Sequence, residues 1–208
     1  MKLSFFSAAI CCLLFSSCNQ TTLPLYGPKT AVEISKNGEK TIDSTDYTIP
    51  YFQFTDQDGH PVDSNTIKGK IFVADFFFTS CPSICPKMMK SMDLVYEKYK
   101  SNKQILILSY SIDPVRDSVP RLKAYEKKIG FESSGWHLLT GNKDSIYHLA
   151  DKYLVSASED PDAPGGHIHD GNFILVDKQR RIRGYYDGTD EVKVQKLLDD
   201  MDILLKEK

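Results

Sequence analysis

The run Ile71-Phe72-Val73-Ala74-Asp75-Phe76-Phe77-Phe78 carries a single charge and is rich in aromatic and β-branched side chains, so it reads as a strand buried on both faces. It leads directly into Thr79-Ser80-Cys81-Pro82-Ser83-Ile84-Cys85-Pro86. Met88, Met92, Val95, Tyr96 and Tyr99 then follow at three- and four-residue spacing, which predicts a helix from Ser83 to Lys100.

The remaining elements supply the layers that such a strand needs. Ile105 to Leu108 is a second buried strand, and Ser118 to Ile129 a helix with Pro120 in its first turn. Trp136 to Leu139 is a short strand and Asp144 to Tyr153 a helix. Phe173 to Val176 and Arg181 to Tyr185 flank the turn Asp177-Lys178-Gln179-Arg180, and Val194, Leu197, Leu198, Met201, Leu204 and Leu205 stripe a last helix. Upstream, Phe52 and Phe54 alternate with polar residues and Asp58-Gly59 marks a hairpin turn. Strands alternating with helices, closed by a hairpin and a helix, predict an α/β domain with a mixed central sheet flanked by helices, of the thioredoxin-like kind, over residues 47–208.

The N-terminus reads as a leader. Lys2 precedes the apolar run Leu3 to Phe15, which is short for a membrane span and fits the core of a signal peptide, residues 1–17. Ser16, Ser17 and Cys18 follow it, as in a bacterial lipoprotein signal whose cysteine is lipidated. The expected location is extracytoplasmic, on a membrane through the lipid on Cys18. Residues 18–46 are polar, with Pro24, Gly27, Pro28 and Gly38, and read as a tether in which Tyr26, Val32 and Ile34 could pack on the domain. A net charge of -2 without a basic stripe argues against a nucleic-acid partner.

Of five cysteines, Cys11 and Cys12 leave with the signal and Cys18 takes lipid, so Cys81 and Cys85 remain as thiols. Both stand where a buried strand gives way to a helix. Four-residue spacing on one helical face would point both sulfurs at a common atom. The helix N-terminus favours the thiolate, and Pro82 and Pro86 stiffen the loop. Such a pair can cycle as a disulfide or bind a soft metal such as Cu(I). A purely stapling disulfide would close too small a loop to stabilise much, and Pro82 and Cys85 crowd the first thiol for a peroxide pocket. A third donor comes from the histidines. His60, His137 and His148 read as surface or packing groups. His169, with His167 as the weaker candidate, follows the loop with Pro161, Pro164, Gly165 and Gly166 and precedes the last hairpin, which in this fold faces the cysteine helix. Asp113 ends a core strand on the cysteines' edge of the sheet, where it could orient the site or simply cap a turn.

These stretches, together with Gly69-Lys70, Ser111-Ile112-Asp113-Pro114 with Asp117, and His169 placed eight residues before Asp177, resemble the SCO (SenC) family. Two cysteines separated by three residues, each followed by proline, are specific to that pattern. The chain departs from it at Ser80, often histidine in the family, and at Asp170-Gly171-Asn172 after His169. The resemblance implies a thioredoxin-like fold and copper, as Cu(I) or Cu(II), on Cys81, Cys85 and His169. It implies a metallochaperone rather than an enzyme in the strict sense. Such a protein would deliver copper to, or reduce the cysteines of, the dinuclear copper centre of cytochrome c oxidase. The implied partners are the oxidase's copper subunit or another cuproprotein, and a thiol–disulfide reductant. The alternative is a general thiol–disulfide oxidoreductase that uses Cys81 and Cys85 alone.

Overall fold

A computed structural model describes residues 22–36, 39–132 and 135–207; the expected signal peptide and Cys18 lie outside the described residues. The elements in order are β1 (Thr30–Lys36), β2 (Glu39–Thr45), β3 (Gln53–Thr55), β4 (Pro61–Asp63), β5 (Ile71–Phe77), α1 (Cys85–Tyr99), β6 (Ile105–Ser111) and α2 (Val119–Ile129). They continue with β7 (Trp136–Leu139), α3 (Lys143–Lys152), β8 (Ala157–Glu159), β9 (His167–His169), β10 (Asn172–Val176), β11 (Ile182–Asp187) and α4 (Glu191–Lys206).

The central sheet has five strands in the order β11-β10-β5-β6-β7. β5, β6 and β7 run parallel, with Ile71 opposite Ile105 and Ile107 opposite Trp136. β10 and β11 run against them, with Val176 opposite Phe72 and Ile182. The sheet is therefore mixed, as the order of elements predicts. Every residue of β5 and β6 is buried. Alternation sends successive side chains of β5 to opposite faces. Phe76 stacks on Tyr110 and meets Tyr153 just after α3, whereas Phe77 stacks on Tyr125 of α2. Helices thus cover both faces, and α1 lies beside α4, where Tyr99 Oη donates to Asp202 at 2.7 Å, with the Leu198 carbonyl 3.0 Å away.

Two features differ from the sequence reading. Helix α1 starts at Cys85, not Ser83. A helix begun at Ser83 would need the N–H of residue 86 to bond the carbonyl of residue 82, and Pro86 has none. The first carbonyl used is that of Ile84, which accepts from Met88 N at 3.0 Å. Cys81 consequently sits in the loop before the helix rather than on its face. The second difference is the stretch read as a loop before the last hairpin. It is itself a hairpin, β8 against β9, with Ala157 opposite His169. Three-residue strands around two prolines and two glycines are too short to show periodicity in the sequence.

The stretch read as a tether contains the β1–β2 hairpin and a docked segment. Leu23 is buried. Buried Arg183 donates from Nη2 to the carbonyl of Leu23 at 2.8 Å and from Nε to that of Pro24 at 3.1 Å. Its Nη1 bonds Asp177 at 3.0 Å and Glu207 at 2.8 Å. Tyr26 bridges to Ile182 and packs edge-on against Tyr185 at 5.3 Å. Replacing Arg183 by Ala leaves the Leu23 and Pro24 carbonyls without their donor, while the Asp177 carboxylate keeps Arg181. The expected loss is about 1–3 kcal/mol, read from urea unfolding. A loss below about 1 kcal/mol, the range of a surface ion pair, would show that this clamp is peripheral.

Candidate metal centre

The site forms at the carboxyl edge of the sheet, where β5 ends. Thr79 is fixed first. Its N–H donates to Asp117 Oδ2 at 3.0 Å and its hydroxyl to Asp117 Oδ1 at 2.5 Å. Ser111, at the end of β6, donates to the same carboxylate at 2.6 Å. Asp117 is fully buried and so ties the ends of β5 and β6 together at the mouth of the cysteine loop. Arg121 Nε closes the set on Thr79 Oγ1 at 2.7 Å. The chain then turns, with Cys81 N–H on the Phe78 carbonyl at 3.2 Å. This turn and the late helix start, rather than a shared helical face, set the two cysteines together.

The ligand atoms of Cys81, Cys85 and His169 all lie within 4.8 Å of one another. Both thiols are free; Cys85 is buried and Cys81 half-buried. His169 Nδ1 is 3.0 Å from the carbonyl of Asp170, an atom that can only accept. Nδ1 therefore carries the proton, and the Nε2 lone pair faces Cys85 Sγ at 3.3 Å. Hydrogen bonding from Cys85, with the N–H groups of Cys85 and Ser83, pulls the Cys81 thiol far below its ordinary range despite partial burial. The same bond to Cys81 and burial push Cys85 up. One sulfur is thus an accessible thiolate and the other a buried thiol. Two sulfurs and a neutral imidazole nitrogen form a donor set suited to soft or borderline metals, copper and zinc above all.

His167 does not join this set. Tyr147 Oη spends its hydrogen on the Ile112 carbonyl at 2.9 Å, so His167 Nδ1, 3.2 Å away, donates to it. Its Nε2 lies 3.5 Å from Asp113 Oδ2. Asp113 also lies 3.5 Å from Arg116. Asp113 Oδ1 takes the Arg116 N–H at 3.4 Å, as in an ordinary turn, and its Oδ2 has no hydrogen-bond partner among the described residues; it does not contact the cysteines. The ring of Phe78 separates the two histidines, with centroids at 5.1 Å from His167 and 5.9 Å from His169. Gly165, at φ +84°, lets the β8–β9 loop close on this ring, since a Cβ there would sit 2.7 Å from Phe78 Cε2. His60 and His148 are exposed, and His137 bonds Asp56 at 3.1 Å. A second convergence, Asp56 with Asp58 and His60, lacks sulfur, and Lys123 already holds Asp58 at 2.6 Å. The sequence reading missed Asp117 as the residue that seats the loop; its place four residues after Asp113 was the available signal.

Asp75 is the one charge of the central strand. Ser109 donates to its Oδ1 at 2.5 Å, and Oδ2 has no hydrogen-bond partner among the described residues. Burial pushes its carboxyl up to about 7, against the lowering effects of Ser109 and His169.

The family model described as SCO1/SenC matches residues 40–205. A SCO1/SenC family lipoprotein from Bacillus anthracis str. Ames is 31% identical, with a TM-score of 0.71 over 77% of this chain and 96% of that one. BsSco, a member of the Sco family of cytochrome c oxidase assembly proteins in which a disulfide switch is identified, is 29% identical. Its TM-score is 0.69 over 78% of this chain and 95% of that one. ScoI from Bradyrhizobium japonicum, solved with copper bound, is 25% identical, with a TM-score of 0.62 over 73% of this chain and 98% of that one. Fold and site together define a thioredoxin-like protein that presents two thiols and an imidazole at one edge of its sheet. The chain belongs to the SCO1/SenC family.

Two outcomes are expected. Iodoacetamide at about pH 6 should alkylate Cys81 and spare Cys85, and Cys85→Ala should move Cys81 reactivity to higher pH by removing its donor. Equal labelling of both thiols would remove the assignment of Cys81 as the thiolate. Between about pH 4 and pH 7 folded Asp75 keeps a proton that the unfolded chain has released, so stability should fall as pH rises through that window. Asp75→Asn should flatten this slope in denaturant titrations, and an unchanged slope would place the effect elsewhere.

Proposed function

We propose that the chain is an extracytoplasmic copper metallochaperone, held on a membrane by lipid at Cys18, that serves assembly of the dinuclear copper centre of cytochrome c oxidase. The observation that carries this reading is the convergence of Cys81 Sγ, Cys85 Sγ and a His169 nitrogen within 4.8 Å, at an edge that half-exposed Cys81 opens to a partner. Two relatives support it by what they are: one solved with copper bound, another a cytochrome c oxidase assembly protein. Copper is cargo in this reading. Cys81, Cys85 and His169 would hold it, the imidazole oriented by the Asp170 carbonyl and the cysteine loop by Asp117. The lipid anchor rests on Ser16-Ser17-Cys18 and on the lipoprotein among the relatives. No helix among the described residues is long and apolar enough to cross a membrane.

The second reading, a thiol–disulfide reductase, is favoured by the unequal thiols. The Cys81 thiolate would attack a partner disulfide to form a mixed disulfide. Cys85, losing its proton, would then displace the partner's second thiolate. The partner gains two electrons and the chain is left with a Cys81–Cys85 disulfide, which an external dithiol reductant must reopen. The two readings share the reduced dithiol and part at His169.

Titration of the reduced protein with Cu(II) should give a one-to-one complex with an intense thiolate-to-copper charge-transfer band. His169→Ala should weaken binding by about 10–100-fold or more while leaving the circular dichroism unchanged. If that variant binds copper as the parent does, the three-donor site is wrong. If no band forms and the variant reduces disulfides as well as the parent, the second reading stands.

A further inference from the structure

The end of the sheet opposite the thiols carries its own surface chemistry. Parallel pairing places the starts of β5 and β6 together, with Lys68 and Lys70 before one and Lys103 before the other. The antiparallel partner brings the Asp177–Arg181 turn to the same end, since Val176 lies opposite Phe72. The last turn of α4, with Lys206, lines that end too: Ile71, Lys178, Arg181, Leu204 and Glu207 surround one small cleft. Among the described residues none of Lys68, Lys70, Lys103, Lys178 and Lys206 is paired with a carboxylate. Of the acids nearby, Asp63 accepts from the N–H groups of Asn65 and Thr66 in its own turn. Asp177 and Glu207 are engaged by Arg183, and Asp46 by Arg181 at 3.3 Å. The cationic end is trimmed by an aromatic ring. Tyr51 is 80% exposed, an unusual place for so large a side chain, and the Arg180 guanidinium lies over it at 4.4 Å. Such a mix of unpaired lysine, arginine and exposed tyrosine suits the headgroup zone of a bilayer, where the ring sits among headgroups and the cations meet lipid phosphate.

The course of the chain agrees. Arg183 clamps Leu23 and Pro24 onto β11 and the end of α4, next to this same end. Only four residues separate Leu23 from Cys18. Taking the anchor from the proposed reading, the lipid is leashed by about 17 Å of chain at most to the cationic end of the domain. We infer that the Lys68–Lys103–Lys178–Tyr51 end lies on an anionic lipid surface and holds the Cys81–Cys85–His169 edge facing away from the bilayer. The partner's site must then stand clear of the membrane plane, above the height of this domain.

Lysine acylation footprinting of the full chain tests this on vesicles of phosphatidylcholine alone and of phosphatidylcholine with about one quarter phosphatidylglycerol, at low and high salt. On anionic vesicles Lys68, Lys103 and Lys178 should be protected several-fold, while Lys87 and Lys90, exposed on α1 beside the thiols, keep reacting. High salt should abolish that protection at all three lysines, and the triple change Lys68→Glu, Lys178→Glu and Arg180→Glu should abolish it at Lys103. Equal reaction at both ends on anionic vesicles overturns the inference. A chain that binds both kinds of vesicle without differential protection keeps its anchor and loses the cationic face. Binding to anionic vesicles alone, released by salt, keeps the face and removes the anchor at Cys18.

Discussion

The burial of β5 on both faces is the constraint from which the site follows. A strand with no side in water must have its backbone groups paired, and β6 and β10 supply those partners. Pairing with β6 in parallel puts the ends of both strands at one edge, and Asp117 ties those ends through Thr79 and Ser111. Pairing with β10 in the opposite sense brings the start of β10, and with it the β8–β9 hairpin, to that same edge. Two cysteines and a histidine far apart in sequence therefore meet because of how one strand is satisfied. Asp75, inside this strand, remains the exception, a buried carboxyl beneath the site whose one hydrogen-bond partner among the described residues is Ser109.

The large elements were legible because their signals are long. The apolar run of β5, the striped faces of α1 and α4, and the Asp177–Arg180 turn each span enough residues for a period or a turn to show. The cysteine pair and His169 were legible from residue type and spacing. What escaped the sequence depends on hydrogen bonds that no local pattern reveals. Pro86 lacks the N–H for an earlier helix start, which takes Cys81 off the helix. The β8–β9 strands are too short for alternation. The role of Asp117 depends on Thr79, 38 residues away, so it could not be separated in the sequence from an ordinary turn aspartate.

The division of labour among polar side chains is unusually clear. Asp117 seats the cysteine loop, Tyr147 holds His167, and the Asp170 carbonyl fixes the tautomer of His169. Phe78 and Gly165 supply the apolar wall between these groups, so each histidine answers to a different partner. Two neighbouring imidazoles on one short strand thus end with distinct tasks, one structural and one turned toward the sulfurs.

The contact between Cys85 and His169 spans 84 positions of the chain. Local structure cannot create it. A polypeptide that has formed the first helix but not yet added β10 to the sheet has two reactive thiols and no imidazole beside them. The complete donor set is a property of the finished tertiary structure, so any ligand that needs all three donors binds the native state alone and shifts the folding equilibrium toward it. Occupancy of the site and completion of the fold are two readings of one thermodynamic balance, and a nascent or partly unfolded chain is excluded from the task by its topology.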